Sequence, residues 1–169
     1  MKKAFSSVND IVVIECPGYW QTKSGGILDV LFKMDYDFVM KFLEYESLEL
    51  TKLPHLRGLR SYTVHDVAKD SIGAKEWHKA RNEIVFALSG TFRWTCEDIY
   101  GEKKEFILDG SNAIFTPHGL MHTYIALADQ SAIGVLANTL FDPQDNSTQD
   151  TYSIEAFREL QQAYKQTLS

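Results

Sequence analysis

The segment Glu76-Trp77-His78-Lys79-Ala80-Arg81-Asn82-Glu83 brings two carboxylates and an imidazole into eight residues, and a second imidazole, His122, ends Pro117-His118-Gly119-Leu120-Met121-His122. Three readings of the quartet Glu76, His78, Glu83 and His122 stand side by side. In the first it moves protons without a metal. A histidine with an ordinary pKa of about 6.5 takes or returns a proton at neutral pH, and a carboxylate in a dry pocket serves as its partner. In the second it binds a divalent ion, since two imidazoles and two carboxylates suit Fe, Mn, Ni or Zn. In the third it is a solvated strand edge whose histidines satisfy backbone groups. Arg60, Lys75, Lys79 and Arg81 lie near the quartet in sequence and offer either a solvated rim or a diphosphate site. Trp77 falls between Glu76 and His78 and is expected to face away from them, into a core or a subunit contact. His118 sits at a turn and is expected to be exposed. His65 shares its alternation with Ser61 and Thr63, which leaves its face open.

Holding these side chains together is work for strands. In Thr91-Phe92-Arg93-Trp94-Thr95-Cys96-Glu97, apolar Phe92, Trp94 and Cys96 alternate with Thr91, Arg93, Thr95 and Glu97, the period of a half-buried strand. Apolar runs at 59–66, 83–89, 105–109, 113–116, 121–127 and 132–138 follow the same style between short turns, and 26–32 reads the same way. Seven or eight such strands predict a sandwich or a closed barrel. Glu83 would share a face with Val85, Ala87 and Ser89, with Ile84, Phe86 and Leu88 packed on the other side, and His122 would share one with Tyr124 and Ala126. Residues 35–50 carry apolar pairs at helical spacing but also β-formers, so helix and strand both stay open. Residues 152–166 predict a helix with Ile154, Phe157, Leu160 and Tyr164 on one stripe and Ser153 as its cap, packed outside the β core.

A length of 169 residues suits one domain with a substantial core. The net charge of -6 argues against nucleic acid or an anionic membrane as partner, since both demand a basic excess. No window approaches the roughly 18 apolar residues of a membrane span. The opening stretch, with Asp10 and Glu15 flanking a short apolar run, does not read as a signal peptide. Cys16 and Cys96 have no metal or redox spacing and fit a reducing compartment. The expected location is the cytoplasm.

The order Glu-x-His, four residues, Glu, six residues, Gly at 76–90, followed by Pro-x-Gly-x-x-His at 117–122, resembles the two motifs of the cupin superfamily, with Glu76 where the first histidine usually stands. Over residues 57–157 the chain is similar to the RmlC-like, sugar-nucleotide branch of the cupins. In particular it resembles the dTDP-4-keto-6-deoxyglucose 3,4-ketoisomerases of the WxcM-like family. The features that carry this are Arg60 with Tyr62, His78 with Lys79, the Leu88-Ser89-Gly90 turn, the segment from Pro117 to His122, and the close at 136–142. The 3,5-epimerases of the branch share part of the pattern. The chain departs from those ketoisomerases at Glu76 for histidine, at Thr63 for a catalytic tyrosine, and at Glu83 for glutamine.

The resemblance implies an all-β cupin (double-stranded β-helix, jelly-roll) barrel with a C-terminal helix and an enlarged N-terminal segment. As one cupin domain over 1–169, it divides into an extension with first strands (1–56), a cupin core (57–141) and a C-terminal helical part (150–169). It implies a homodimeric sugar-nucleotide isomerase without a metal, acting on a dTDP-4-keto-6-deoxyhexose in cell-surface glycan (lipopolysaccharide) synthesis. His78 is then the proton-transfer residue with Glu76 and His122 as partners. Arg60, Tyr62, Lys79, Arg81, Glu83 and Tyr124 bind the nucleotide-sugar substrate. The alternatives are a metal-dependent cupin using Glu76, His78, Glu83 and His122, a 3,5-epimerase, and a sugar-binding cupin without catalysis.

Overall fold

The computed structural model describes residues 5–45 and 47–167. Lys2 and Lys3 of the opening stretch, Glu46 within 35–50, and the last two residues of the 150–169 part lie outside them.

The alternating segments become strands of two facing antiparallel sheets. In chain order the strands are β1 (Val12–Glu15), β2 (Gly18–Gln21), β3 (Ile27–Val30), β4 (Arg57–Val67), β5 (Ile72–Trp77), β6 (Glu83–Ser89), β7 (Phe92–Glu97), β8 (Lys103–Leu108), β9 (Asn112–Thr116), β10 (Met121–Ala126), β11 (Ser131–Thr139) and β12 (Tyr152–Ser153). One sheet runs β1-β9-β6-β11-β4 and the other β12-β5-β10-β7-β8. This is the jelly-roll barrel of the cupins. Phe92, Trp94, Val85, Ala87, Ile114, Leu120, Ile133 and Val135 meet between the sheets. Burying these groups is the main driving force for closing the barrel.

β6 is buried on both faces from Glu83 to Ala87, as its near-continuous apolar run requires, whereas Leu88, expected on the packed side, is exposed. Val85 and Ala87 enter the barrel core, whereas Ile84 and Phe86 pack outward with Phe42, Phe115, Phe38 and Phe32. The cover is helix α1 (Tyr36–Leu43), capped by the Asp35 carboxylate accepting from the Phe38 amide; a short α2 (Leu48–Lys52), capped by Ser47, follows. The stretch 35–50 is therefore helical, and its helix-compatible spacing prevails because the sheet offers an apolar face to cover. The C-terminal helix, α3 (Ile154–Thr167), lies against the second sheet, with Phe157 packed on Trp77 and Met121. The Ser153 hydroxyl accepts from the Ala156 amide at its start. Trp77 thus belongs to this packing.

Two expectations are corrected. Residues 27–30 do form a strand, but β3 pairs only with β2 in a hairpin separate from both sheets, where Tyr19, Trp20, Ile27 and Leu28 are exposed. Glu97 is buried rather than solvated, because Arg158 and Gln161 of α3 reach over it and bond its carboxylate.

One irregularity matters for chemistry. Along the β5–β10 ladder His122 pairs with Glu76 and Thr123 with Ala74, so Lys75 is an extra residue. Ala74 and Lys75 both have left-handed φ values, 60° and 63°. Such a bulge re-aims the side chain after it, and here that side chain is Glu76.

Candidate active site

Three strands and one turn converge on the quartet. β5 brings Glu76, the turn after it His78 and Arg81, β6 Glu83, and β10 His122. His78 Nε2 lies 3.8 Å from Glu76 Oε1 and 3.5 Å from Glu83 Oε1. His122 Nε2 lies 3.7 Å from the other Glu83 oxygen, and the two imidazole centroids are 5.1 Å apart. All four residues expected from the motif are therefore neighbours.

The ring orientations are set by the backbone. His78 Nδ1 lies 2.6 Å from the Asp150 carbonyl oxygen, and His122 Nδ1 lies 3.3 Å from that of Leu120. A carbonyl only accepts, so Nδ1 carries a proton in both rings, and each Nε2 faces Glu83. His122 is further held by the Trp94 ring, stacked on it at 5.1 Å and 15°, and Tyr124 stacks on Trp94 at 6.1 Å and 16°. Gly73 leaves room for Tyr124, since a Cβ there would come within 2.1 Å of the phenol ring.

Glu83 is the hub. Its Oε1 accepts from the Tyr62 hydroxyl at 2.8 Å and from Arg81 Nη1 at 3.4 Å. Arg81 Nη1 also lies 3.4 Å from His78 Nε2, and its Nη2 donates to Thr151 Oγ1 at 3.2 Å. Burial drives the His78 pKa down to about 3, against the opposing pull of Glu83, so the ring is neutral at pH 7. Burial alone would raise Glu83; the two histidines, Arg81 and the Tyr62 hydrogen bond outweigh it and hold the carboxyl at about 2. Burial and the adjacent Glu83 charge push the Tyr62 phenol up.

Two hollows that share wall residues lie at this cluster. The inner one, about 250 Å³, is walled by Tyr62, Glu76, Glu83, Trp94, His122 and Tyr124 among others. The outer one, about 400 Å³, is walled by Arg60, Tyr62, Glu76, Arg81, Phe141 and Thr151, with Gln149. Tyr62 and Glu76 belong to both. His78 is 2% exposed and stands behind Glu76 and Glu83 rather than on either wall. Arg60 lies between the rings of Tyr62 and Phe141, 5.0 and 5.1 Å from their centroids.

Of the residues expected to bind substrate, Arg60, Tyr62, Arg81, Glu83 and Tyr124 are at the hollows. Lys79 is not: its ammonium lies 4.2 Å over the Tyr152 ring, on the α3 side of the sheet. Thr63 and His65 are exposed on the opposite face of β4, His65 beside Asp66. His118 is half-buried rather than exposed, hydrogen-bonded to Asn82. The sequence reasoning missed Trp94 and Asp150 as parts of the site. Trp94 carried a signal, since its alternation already turned it inward. Asp150 carried none, its partners lying about seventy residues upstream in the chain.

Whether a metal fits was tested on the donor set. Glu76, His78 and His122 offer ligand atoms within 4.8 Å of one another. However, the buried Arg81 guanidinium already lies against His78 Nε2 and Glu83 Oε1. A dication placed there would face a fixed positive charge in a low-dielectric setting. The residues present do not suit a metal centre.

Residues 48–156 match the family model described as FdtA: WxcM-like, C-terminal. A search of curated proteins found no significant match. Among solved structures, the chain resembles a 3,4-ketoisomerase from Helicobacter canadensis (12% identity, TM-score 0.63, covering 90% of this chain and 98% of that one). It also resembles a double mutant of the QdtA 3,4-ketoisomerase of Thermoanaerobacterium thermosaccharolyticum in complex with TDP (16%, 0.63, 94% and 99%). A third is WlaRA, a TDP-fucose-3,4-ketoisomerase from Campylobacter jejuni (17%, 0.59, 90% and 96%). At these identities the likeness establishes the cupin fold, and the family match, spanning well over half of the sequence, establishes the rest: the chain belongs to the WxcM-like C-terminal family.

Proposed function

We propose that the protein is a sugar-nucleotide isomerase that moves the keto group of a TDP-linked 4-keto-6-deoxyhexose between C4 and C3 without a metal. The observation that carries this reading is the pair of imidazoles whose Nε2 atoms converge on the buried Glu83 carboxylate beside a guanidinium, with His122 on the wall of the inner hollow. A base removes the proton from C3, the electron pair forms the C3=C4 bond, and negative charge develops on O4. Protonation of O4, loss of the O3 proton and return of a proton to C4 then give the 3-keto sugar. Glu76 and His122, on the hollow wall, meet the substrate; His78, with its lone pair 3.8 Å behind Glu76, completes the proton-transfer group. Arg81 lies where it stabilises the enediolate charge that a metal would otherwise hold. Arg60 and Phe141 line the outer hollow, which suits the nucleoside diphosphate. The family membership and the ketoisomerase-like fold agree with this reading.

The setting proposed is cell-surface glycan synthesis in the cytoplasm; among the described residues no helix is long and apolar enough to cross a membrane. A homodimer is also proposed, supported by the exposed apolar side chains of the β2–β3 hairpin. The test is incubation of TDP-4-keto-6-deoxyglucose with the protein in deuterated water. Deuterium at C4 of a 3-keto product, and at C3 of the recovered 4-keto sugar, supports the proposal, and deuterium at both C3 and C5 of the 4-keto sugar favours the epimerase alternative. Nucleotide-sugar binding with no exchange leaves a non-catalytic binding cupin as the better account.

A further inference from the structure

Asp150 belongs to no motif, yet it is 1% exposed and holds the site from two sides. Its carboxylate accepts from three consecutive amides, those of Lys79, Ala80 and Arg81, at 2.9, 2.9 and 2.8 Å. Its own carbonyl oxygen receives His78 Nδ1 at 2.6 Å. The next residues continue the attachment. Thr151 accepts from Arg81, and Tyr152 and Ser153 pair with Trp77 and Glu76.

We infer that Asp150 is a positioning residue that fixes His78 as the Nδ1–H tautomer, with its Nε2 lone pair turned toward Glu76 and Glu83. The carbonyl can do this only while it stays against the ring, and the carboxylate is what keeps it there. Charge-assisted bonds from three backbone donors clamp the segment 149–153 onto the turn that carries His78 and Arg81. His122 supplies an internal contrast. Its Nδ1 partner, Leu120, is only two residues away, so its tautomer is set locally and without Asp150.

The catalytic consequence rests on the isomerase reading; the tautomer does not. Nitrogen-15 NMR of the histidine side chains in the full chain reads the tautomer directly, with His78→Gln and His122→Gln assigning the signals. The wild type is expected to show His78 as a single Nδ1–H form. Asp150→Ala, and Asp150→Asn should the alanine variant not fold, is expected to add the Nε2–H form at His78 and leave His122 unchanged. Solvent exchange of the sugar C3 hydrogen should fall about 10- to 100-fold at an unchanged KM, the size typical of losing a group that orients a functional histidine. An Nε2–H His78 in the wild type, or a His78 signal indifferent to substitution of Asp150, overturns the inference. The expected tautomer change in a protein that never exchanges the sugar hydrogen upholds the positioning role and removes the isomerase reading instead.

Discussion

The Tyr62 hydroxyl donates to Glu83 Oε1 at 2.8 Å, joining the edge strand β4 to the buried carboxylate on which both imidazoles converge. Tyr62→Phe removes that donor and little else. A buried carboxylate deprived of one bond should lower stability by about 1–3 kcal/mol, and Glu83 should titrate at higher pH. Denaturant unfolding measures the first effect, and the second appears as an upward move of the acid limb of the pH–rate profile. An unchanged acid limb would show that Glu83 is not the group it reports.

Acid should destabilise the fold in two steps. His78 has its pKa depressed to about 3 in the folded chain, from 6.5, so the stability this implies is complete above 6.5 and is lost as pH falls toward 3. Glu83, depressed to about 2 from 4.5, contributes stability that is complete above 4.5 and disappears as pH falls toward 2. His78→Gln should therefore flatten the stability profile between about pH 6.5 and 4.5 and leave the steeper fall below it. Urea midpoints measured across pH for both proteins decide this.

Substituting the wall residues should slow chemistry more than binding. His122→Asn is expected to reduce C3 exchange by about 10²- to 10⁴-fold, the usual loss for a positioned acid or base. Glu76→Gln should do the same if its carboxylate carries the proton, and should leave exchange nearly intact if it only holds the sugar. His78→Asn tests the residue behind the wall. Isothermal titration with TDP should show similar affinity for all three, because the outer hollow keeps Arg60 and Phe141.

Metal should be dispensable. Protein purified without a histidine tag is expected to contain substoichiometric metal and to keep its activity in a chelator, since Arg81 already supplies the positive charge beside His78 and Glu83. A stoichiometric ion surviving dialysis, together with activity lost on chelation, would reverse this. Arg81→Met removes the guanidinium and should raise affinity for added Zn or Mn, read by titration of the metal alone.

The sequence made the barrel legible because turn residues punctuate period-two runs, and Phe92, Trp94 and Cys96 declare their inward face with no tertiary information. It made the quartet legible because strand periodicity puts Glu76 beside His78 and Glu83 beside Val85. The rest depended on contacts distant in the chain. Glu97 alternates like a solvent-facing residue, and only α3 folding back over it makes it buried. Lys79 adjoins His78 in sequence, yet the turn directs its ammonium to Tyr152. The bulge at Lys75 is invisible without the β10 partner that reveals the extra residue. Residues 35–50 remained open until the outer face of β6 supplied something for α1 to cover.

The segment 149–153 also imposes an order of events. Apart from β12, every strand of the two sheets is complete at Thr139, so the barrel can close on a growing chain before Asp150 and Thr151 emerge. Until they do, the turn bearing His78 has no clamp, and its imidazole is free to carry its proton on either nitrogen. A chain truncated after β11 would form a barrel that is shaped but chemically unready.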